Sequence, residues 1–366
     1  MASGSRSSPG TNRVPARRTT AKVNDTRLNL IAKLKSMKHA SWLFAAVALC
    51  GSSALAQTVP GSAFKLALPD HPGKLKWSAD GFTVLQSSAK PNGREIGIRG
   101  RDGSHRLTFL AFLFVFPEQA PLTSAKCREG VLGPEEKSNP NLKIATRSEI
   151  VRAGQLPVAV AIYSAQAKTG STIYSVRGFI ASGDVCGDLE LYSEKPISAE
   201  DADIKGILAT YQLEEHYAPR FSDILVYAQV LYKTRMYAAA APMFEQALMR
   251  LKDEPSAVTK DGRRILIDQA GMAYGISGQI AKARAILERA VAEDPDYPLY
   301  YYNLACADAE ENKLQDARLH LQQAFARKAN VVAGEAMPDP TKDDSFLPHR
   351  DNRDFWKFVE GLQANR

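Results

Sequence analysis

Two short motifs in this chain have residue types that could form and hydrolyse an acyl–enzyme bond. Ser62-Ala63-Phe64-Lys65 has the Ser-x-x-Lys spacing, in which a lysine one helical turn on can activate the serine, and Lys168-Thr169-Gly170 matches the Lys-Thr-Gly element that accompanies it in such enzymes. The third element, Ser-Asp-Asn, is missing from the sequence, and Ser-x-x-Lys recurs at Ser87–Lys90. The pairing also requires Ser62 to begin a helix, whereas "SAFKLAL" alternates like a strand. Other chemistry has less support. The six histidines are scattered outside any metal pattern, no nucleophile elbow or phosphate loop occurs, and "GIRGRDG" at 97–103 has the wrong glycine spacing and reads as a strand turn. The sequence therefore predicts a non-catalytic chain without cofactor or metal.

Four cysteines occur, at 50, 127, 186 and 306, with no Cys-x-x-Cys. Cys127 and Cys186 fall in the same predicted domain and either pair in an oxidising compartment or remain as two small unpaired side chains. Cys306 falls within a predicted helix, where a small half-buried side chain is expected.

The compartment follows from residues 37–57, "MKHASWLFAAVALCGSSALAQ". Lys38 supplies charge, Trp42 to Leu49 is apolar, and Ala54 and Ala56 stand at −3 and −1 of a cut between Ala56 and Gln57, as in a secretory signal peptide. A retained membrane anchor needs about 20 apolar residues, and Gly51-Ser52-Ser53 interrupts the run before that length. Residues 1–36 are basic and polar and are not expected to fold alone. They are either an arm for nucleic acid or lipid, or sequence upstream of a true start at Met37. The expected protein is periplasmic or secreted and is not stably inserted in a membrane after cleavage.

Charge supports this reading. The chain has 47 Lys and Arg against 40 Asp and Glu, a net of +7. Residues 1–56 hold nine of the basic residues and one acid, Asp25, so removing them leaves 38 against 39, a net of −1. No concentrated basic face remains for a phosphate backbone, which argues against nucleic acid as a partner.

The elements that position these residues divide the chain in two. Residues 57–216 read mainly as β. The runs 106–116 and 157–163 are almost wholly apolar, 172–180 and 185–192 form a strand pair about a Gly- and Ser-containing turn, and a short helix is expected over 124–130. "SAEDADIKGILATYQL" closes the half as a helix that Ser198 is expected to cap. The prediction is an α+β domain, and its element order resembles that of the exported PsbP-like sandwich domains.

From residue 217 the period becomes helical and repeats. Gly271 matches Ala305, Ala283 matches Ala317, Leu287 matches Leu321 and Ala290 matches Ala324, each at an offset of 34 residues. Ala228, Ala240, Phe244 and Ala247 belong to an earlier copy. These small and large positions resemble the tetratricopeptide repeat (TPR), with Tyr274, Gly278 and Pro295 at its aromatic, turn and terminal-proline positions. The expected architecture is an α+β N-terminal domain followed by an all-α helical repeat domain over 217–330, with repeats at 221–254, 264–297 and 298–331 and an insert at 255–263. The third copy departs from the pattern. Asp308 replaces the aromatic and is expected to loosen its two helices, Asn312 replaces the turn glycine, and Ala329 replaces the proline.

Residues 331–366 read as a loop and a capping helix bearing Phe355, Phe358, Val359 and Leu362 at helical spacing, or else as a detachable helix for a partner. The resemblance implies a concave groove lined by Leu225, Gln229, Tyr232, Lys233, Ile265, Asp268, Met272, Leu299, Tyr302 and Glu310. The lysine and asparagine clamp for chaperone C-termini is absent. This apolar, aromatic and Met-containing surface suits a helix or an extended apolar segment of another protein. The chain's own first domain or C-terminal loop is the alternative occupant. The expected role is scaffolding or assembly at the cell envelope. The competing reading is a ligand-binding or enzymatic first domain for which the repeats provide docking.

Overall fold

The computed structural model describes residues 63–116, 121–167 and 169–363. The cleavage site at Ala56 and Gln57 and the whole segment before it lie outside the described residues.

The apolar runs of the first half become a fully antiparallel seven-stranded sheet. Its strands are β3 (Phe82–Ala89), β4 (Glu95–Asp102), β5 (Thr108–Val115), β6 (Lys143–Ile150), β7 (Val158–Gln166), β8 (Thr172–Ser182) and β9 (Val185–Ser193). They lie in the order β3-β4-β5-β9-β8-β7-β6. Alternate residues of the interior strands face different cores: Phe109, Ala111, Leu113, Val158 and Val160 on one side, Phe114, Ala159 and Ala161 on the other. A strand covered on both faces shows no polar alternation, which explains the continuous run at 106–116.

On the first face lies a three-stranded sheet of β1 (Ala63–Ala67), β2 (Lys74–Ser78) and β10 (Gln212–Glu214), in the order β1-β2-β10. Phe64 and Trp77 meet Phe109 edge-on, with ring centroids 5.0 and 5.5 Å apart. The second face carries helix α1 (Ser124–Ser138), which buries Cys127, Val131 and Leu132. The glycines of "GIRGRDG" serve packing. Gly97 and Gly100 sit opposite Phe112 and Phe109 on β5, where a Cβ would run into each ring.

Two elements differ from expectation. Helix α1 extends to Ser138, eight residues beyond the expected end at Gly130. Pro134 forfeits one helical hydrogen bond, but Glu135 just beyond it reaches the buried Arg177 at 2.9 Å. The closing helix α2 starts at Ala202 and ends at Thr210, without a cap from Ser198. The Asp201 carboxylate accepts from the Ser198 N–H at 3.3 Å, and this local turn takes the place of a cap. The chain then turns into β10, which pairs with β2.

The second half consists of TPR-like antiparallel helix pairs: α3 (Phe221–Lys233) with α4 (Tyr237–Arg250), α5 (Lys260–Ile276) with α6 (Ile280–Glu293), and α7 (Pro298–Glu310) with α8 (Leu314–Ala326). Each pair closes on the small positions the sequence repeats. Ala228, Ala240, Ala305 and Ala317 are fully buried, and a Cβ at Gly271 would press on Leu287. Each turn has the same geometry, with Arg235, Gly278 and Asn312 at φ of 61, 77 and 58°. In each, the following N–H bonds back to the helix: Met236 to Leu231, Gln279 to Tyr274 and Lys313 to Asp308. Asn312 therefore preserves the turn that glycine makes. The insert at 255–263 is part turn and part helix. Thr259 accepts from the Gly262 N–H at 3.1 Å, so α5 begins at Lys260, four residues before 264.

Asp308 does not loosen the third pair. It is 1% exposed, accepting from Arg284 at 2.7 Å and lying 2.6 Å from His320 Nδ1. A charged clasp to the preceding repeat and to α8 stands where an aromatic ring would pack.

The halves share one core. Tyr227 of α3 is buried, and its hydroxyl lies 2.6 Å from the Lys90 carbonyl and 2.9 Å from that of Glu95, across the β3–β4 turn. Gln246 of α4 donates to Asp70 at 2.6 Å.

Candidate protein-interaction groove

The enzyme-like motifs do not assemble. Lys65 lies on strand β1 and approaches Asp223 at 3.8 Å, and Thr169 and Gly170 lie in the β7–β8 turn. Ser62 and Lys168 lie outside the described residues. Among the described residues no group of three His, Cys, Asp or Glu side chains is placed to hold a metal ion.

The first domain's buried charge is internally engaged. Arg177 donates through Nε and Nη2 to both oxygens of Asp188 at 2.8 Å and through Nη1 to Glu135. Tyr163 and Ser175 donate to Glu190 at 2.6 and 2.7 Å. Such a network, closed on itself, holds α1 against the sheet. Beside it, Cys127 and Cys186 form a disulfide that joins α1 to β9, with Cα atoms 6.0 Å apart.

The groove residues divide into two sets. Leu225, Gln229, Tyr232, Ile265 and Met272, on α3 and α5, are half-buried. Tyr232 packs edge-on to Tyr237 and Phe244, and its hydroxyl lies 3.7 Å from Met272 Sδ. One helical turn beyond Met272, Ile276 is 55% exposed, and a Cβ at Gly275 would meet nothing within 4 Å. Ile276 continues the helical spacing of Ile265, Asp268 and Met272 along α5, and following that spacing in the sequence identifies it. Lys233 and Glu310 are exposed.

The second set is covered. Tyr302 is buried at 2% exposure beneath residues 332–349 of the same chain, the self-packing alternative for this part of the groove, and Asp268 is buried at 5% exposure. Tyr302 donates to Asp343 at 3.0 Å and packs edge-on to Phe346. Tyr297 donates to Glu335 at 2.6 Å, and His349 Nε2 lies 2.9 Å from the Ala309 carbonyl. Val332, Met337 and Phe346 supply the apolar contacts. Leu299 is buried as well. Asp268 accepts from Asn303 at 2.6 Å; burial, and secondarily the Glu335 carboxylate, push its pKa up to about 8. Beyond the segment, α9 (Arg353–Gln363) buries Phe355 and Val359 against the last repeat.

No protein-family profile matches the chain, and no curated protein matches it. Among solved structures it is similar to the TPR domain of Sgt2 from Aspergillus fumigatus, at 18% identity and a TM-score of 0.27 over 40% of this chain and 83% of that one. It is similar to the first TPR of Spaghetti (RPAP3) bound to an HSP90 peptide, at 14% identity and a TM-score of 0.27 over 39% of this chain and 94% of that one. It is also similar to the PsbP protein of Synechocystis sp. PCC 6803, at 11% identity and a TM-score of 0.28 over 45% of this chain and 98% of that one. The fold is an α+β sandwich followed by TPR-like helical repeats.

Proposed function

We propose that this chain is a non-catalytic protein-interaction module, exported by a cleaved signal and acting as a scaffold or assembly factor in the cell envelope. The open strip of repeats one and two is the docking surface, and its partner is a helix or an extended apolar segment. The observation that carries this reading is Ile276, more than half exposed and one turn from the Tyr232–Met272 contact, with the bare Gly275 backbone beside it. Exposed aliphatic surface next to a half-buried aromatic and a methionine is a surface that gains by being covered. The RPAP3 domain binds an HSP90 peptide. Export is supported by the signal-type stretch at 37–57 and by the Cys127–Cys186 disulfide, which suits an oxidising compartment.

The test is cross-linking of the processed protein in its native compartment, comparing wild type with Ile276→Glu and Tyr232→Glu. The expected result is loss of the cross-linked partners from variants whose circular dichroism is unchanged. An identical partner set in all three would overturn the reading.

A further inference from the structure

The outer end of the seven-stranded sheet carries two arginines that the rest of the chain does not use. In the strand register Arg101 of β4 stands opposite Thr83 and Thr108, and Arg99 stands opposite Gln86 and Leu110. Opposed residues of antiparallel strands share a face, and this is the face on which Phe114 packs with the buried side chains of α1. Helix α1 itself lies over β7 and β8, at the other end of that face. β3 bulges between Val84 and Gln86, beside Arg99, and the inserted Leu85 is 54% exposed.

Arg99 and Arg101 are half-buried, and among the described residues neither reaches a carboxylate; each Nε is buried without an acceptor. The domain's other covered arginines are engaged. Arg177 holds Asp188, Arg128 donates to the Ser148 and Val160 carbonyls at 3.1 and 3.2 Å, and Arg152 donates to the Tyr211 carbonyl at 2.6 Å. The acids near the pair are committed or distant. Glu190, beyond Leu110 in the row of Arg99, accepts from Tyr163 and Ser175, and Asp102 accepts from Ser104 at 2.7 Å. Glu95, on the same face of β4, stands four residues from Arg99, about 13 Å along the strand. A guanidinium that has lost part of its hydration and gained no acceptor is stabilised by a carboxylate that reaches it.

We propose that this end of the sheet is a second docking surface, separate from the groove, for an extended segment of another protein that carries two acidic residues at alternate positions with apolar residues beside them. Alternate side chains of an extended chain repeat every ~6.6 Å, so the carboxylates of such a segment laid along β4 match Arg99 and Arg101 one for one. Each planar guanidinium takes a carboxylate through two N–H groups. The flanking apolar residues cover Leu85 and Leu110. Two cations are too few for a nucleic-acid backbone, whose charge continues past them in both directions.

The probe is a fluorescein-labelled peptide with Glu-Val-Glu between leucines, titrated with the whole processed protein at low salt and followed by anisotropy. Saturable binding is expected, weakened about tenfold by Arg99→Gln or Arg101→Gln and further when both glutamates of the peptide become glutamine. Leu85→Glu, which sets a like charge beside the peptide's acids, is expected to weaken it as well. Arg94→Gln, an equal change of charge at the exposed β3–β4 turn, is expected to leave binding unchanged. Ile276→Glu in the groove is expected to leave it unchanged too, so the two surfaces are tested apart. Urea midpoints of the arginine variants are expected to match wild type, because neither guanidinium has a carboxylate in the fold to lose. No binding at about 1 mM peptide would overturn the proposal. Equal weakening by Arg94→Gln would also overturn it, since general charge attraction would then account for the binding. So would arginine-dependent capture by phosphatidylglycerol vesicles with no binding of the peptide.

Discussion

Arg284 of α6 donates to Asp308 of α7 at 2.7 Å, across the boundary between the second and third repeats. Asp308 is 1% exposed, while the Arg284 side chain is partly open and also reaches Glu311 at 2.8 Å. The two ends of the pair therefore differ in what they lose. Arg284→Ala leaves a buried carboxylate with only His320 and is expected to cost about 3 kcal/mol. Asp308→Asn leaves the arginine its second acid and is expected to cost about 1 kcal/mol. Urea denaturation of both variants at pH 7 measures the difference, and equal losses would contradict the asymmetry.

Tyr227 makes the two halves one folding unit. Its ring is buried where α3 meets the β3–β4 hairpin, and its hydroxyl contacts the carbonyls of Lys90 and Glu95. Tyr227→Phe should cost about 1 kcal/mol, since Lys90 O and Glu95 O have other donors in Gly93 and Lys90. Tyr227→Ala should cost about 4 kcal/mol through the cavity it leaves. In the processed protein with Trp356 replaced by Phe, fluorescence reports Trp77 in the sandwich and far-UV ellipticity reports mainly the repeats. The two curves are expected to coincide in wild type, and separated midpoints would show independent domains.

The disulfide closes a loop between positions 59 residues apart. In the chain-entropy account, replacing both cysteines by serine is expected to remove about 4 kcal/mol, mostly by freeing the unfolded chain. Peptide mapping without reductant is expected to show Cys127 joined to Cys186 and Cys306 free. Alkylation of both Cys127 and Cys186 in the unreduced protein would contradict the pairing.

The repeats are legible because the same packing problem recurs every 34 residues: Gly271 against Leu287 and Ala305 against Leu321 must each solve it with a small residue. The buried strand at 106–116 is legible for a related reason, since two covered faces leave no polar position. Edge strand β6, "KIATRSEI", is exposed along most of its length and has no such pattern. The part of α1 beyond Gly130 is not legible because Arg177, 42 positions beyond Glu135, holds Glu135 in place. The closed part of the groove is hidden most completely. Tyr302 and Asp343 are 41 residues apart, and no period relates a helical repeat to an irregular tail. Repeat positions identify the lining of a groove but not what already lies in it.

Cys306 gives the tail a chemical reporter. The residue is half-buried on α7, with Sγ 3.9 Å from Asp343 Oδ2. Burial first, and then the Asp343 charge, raise its thiol pKa well above the ordinary value. A raised thiol pKa means less thiolate at a given pH, and the thiolate is the species that reacts. Alkylation by iodoacetamide at pH 8.5 is expected to be at least about tenfold slower in the native chain than in urea. Asp343→Asn removes the nearby charge while keeping an oxygen for Tyr302, so it should speed the native reaction. Asp308→Asn, which acts at the Arg284 and His320 clasp, should not. Equal acceleration by the two would mean that general loosening of α7, and not the Asp343 charge, controls the thiol.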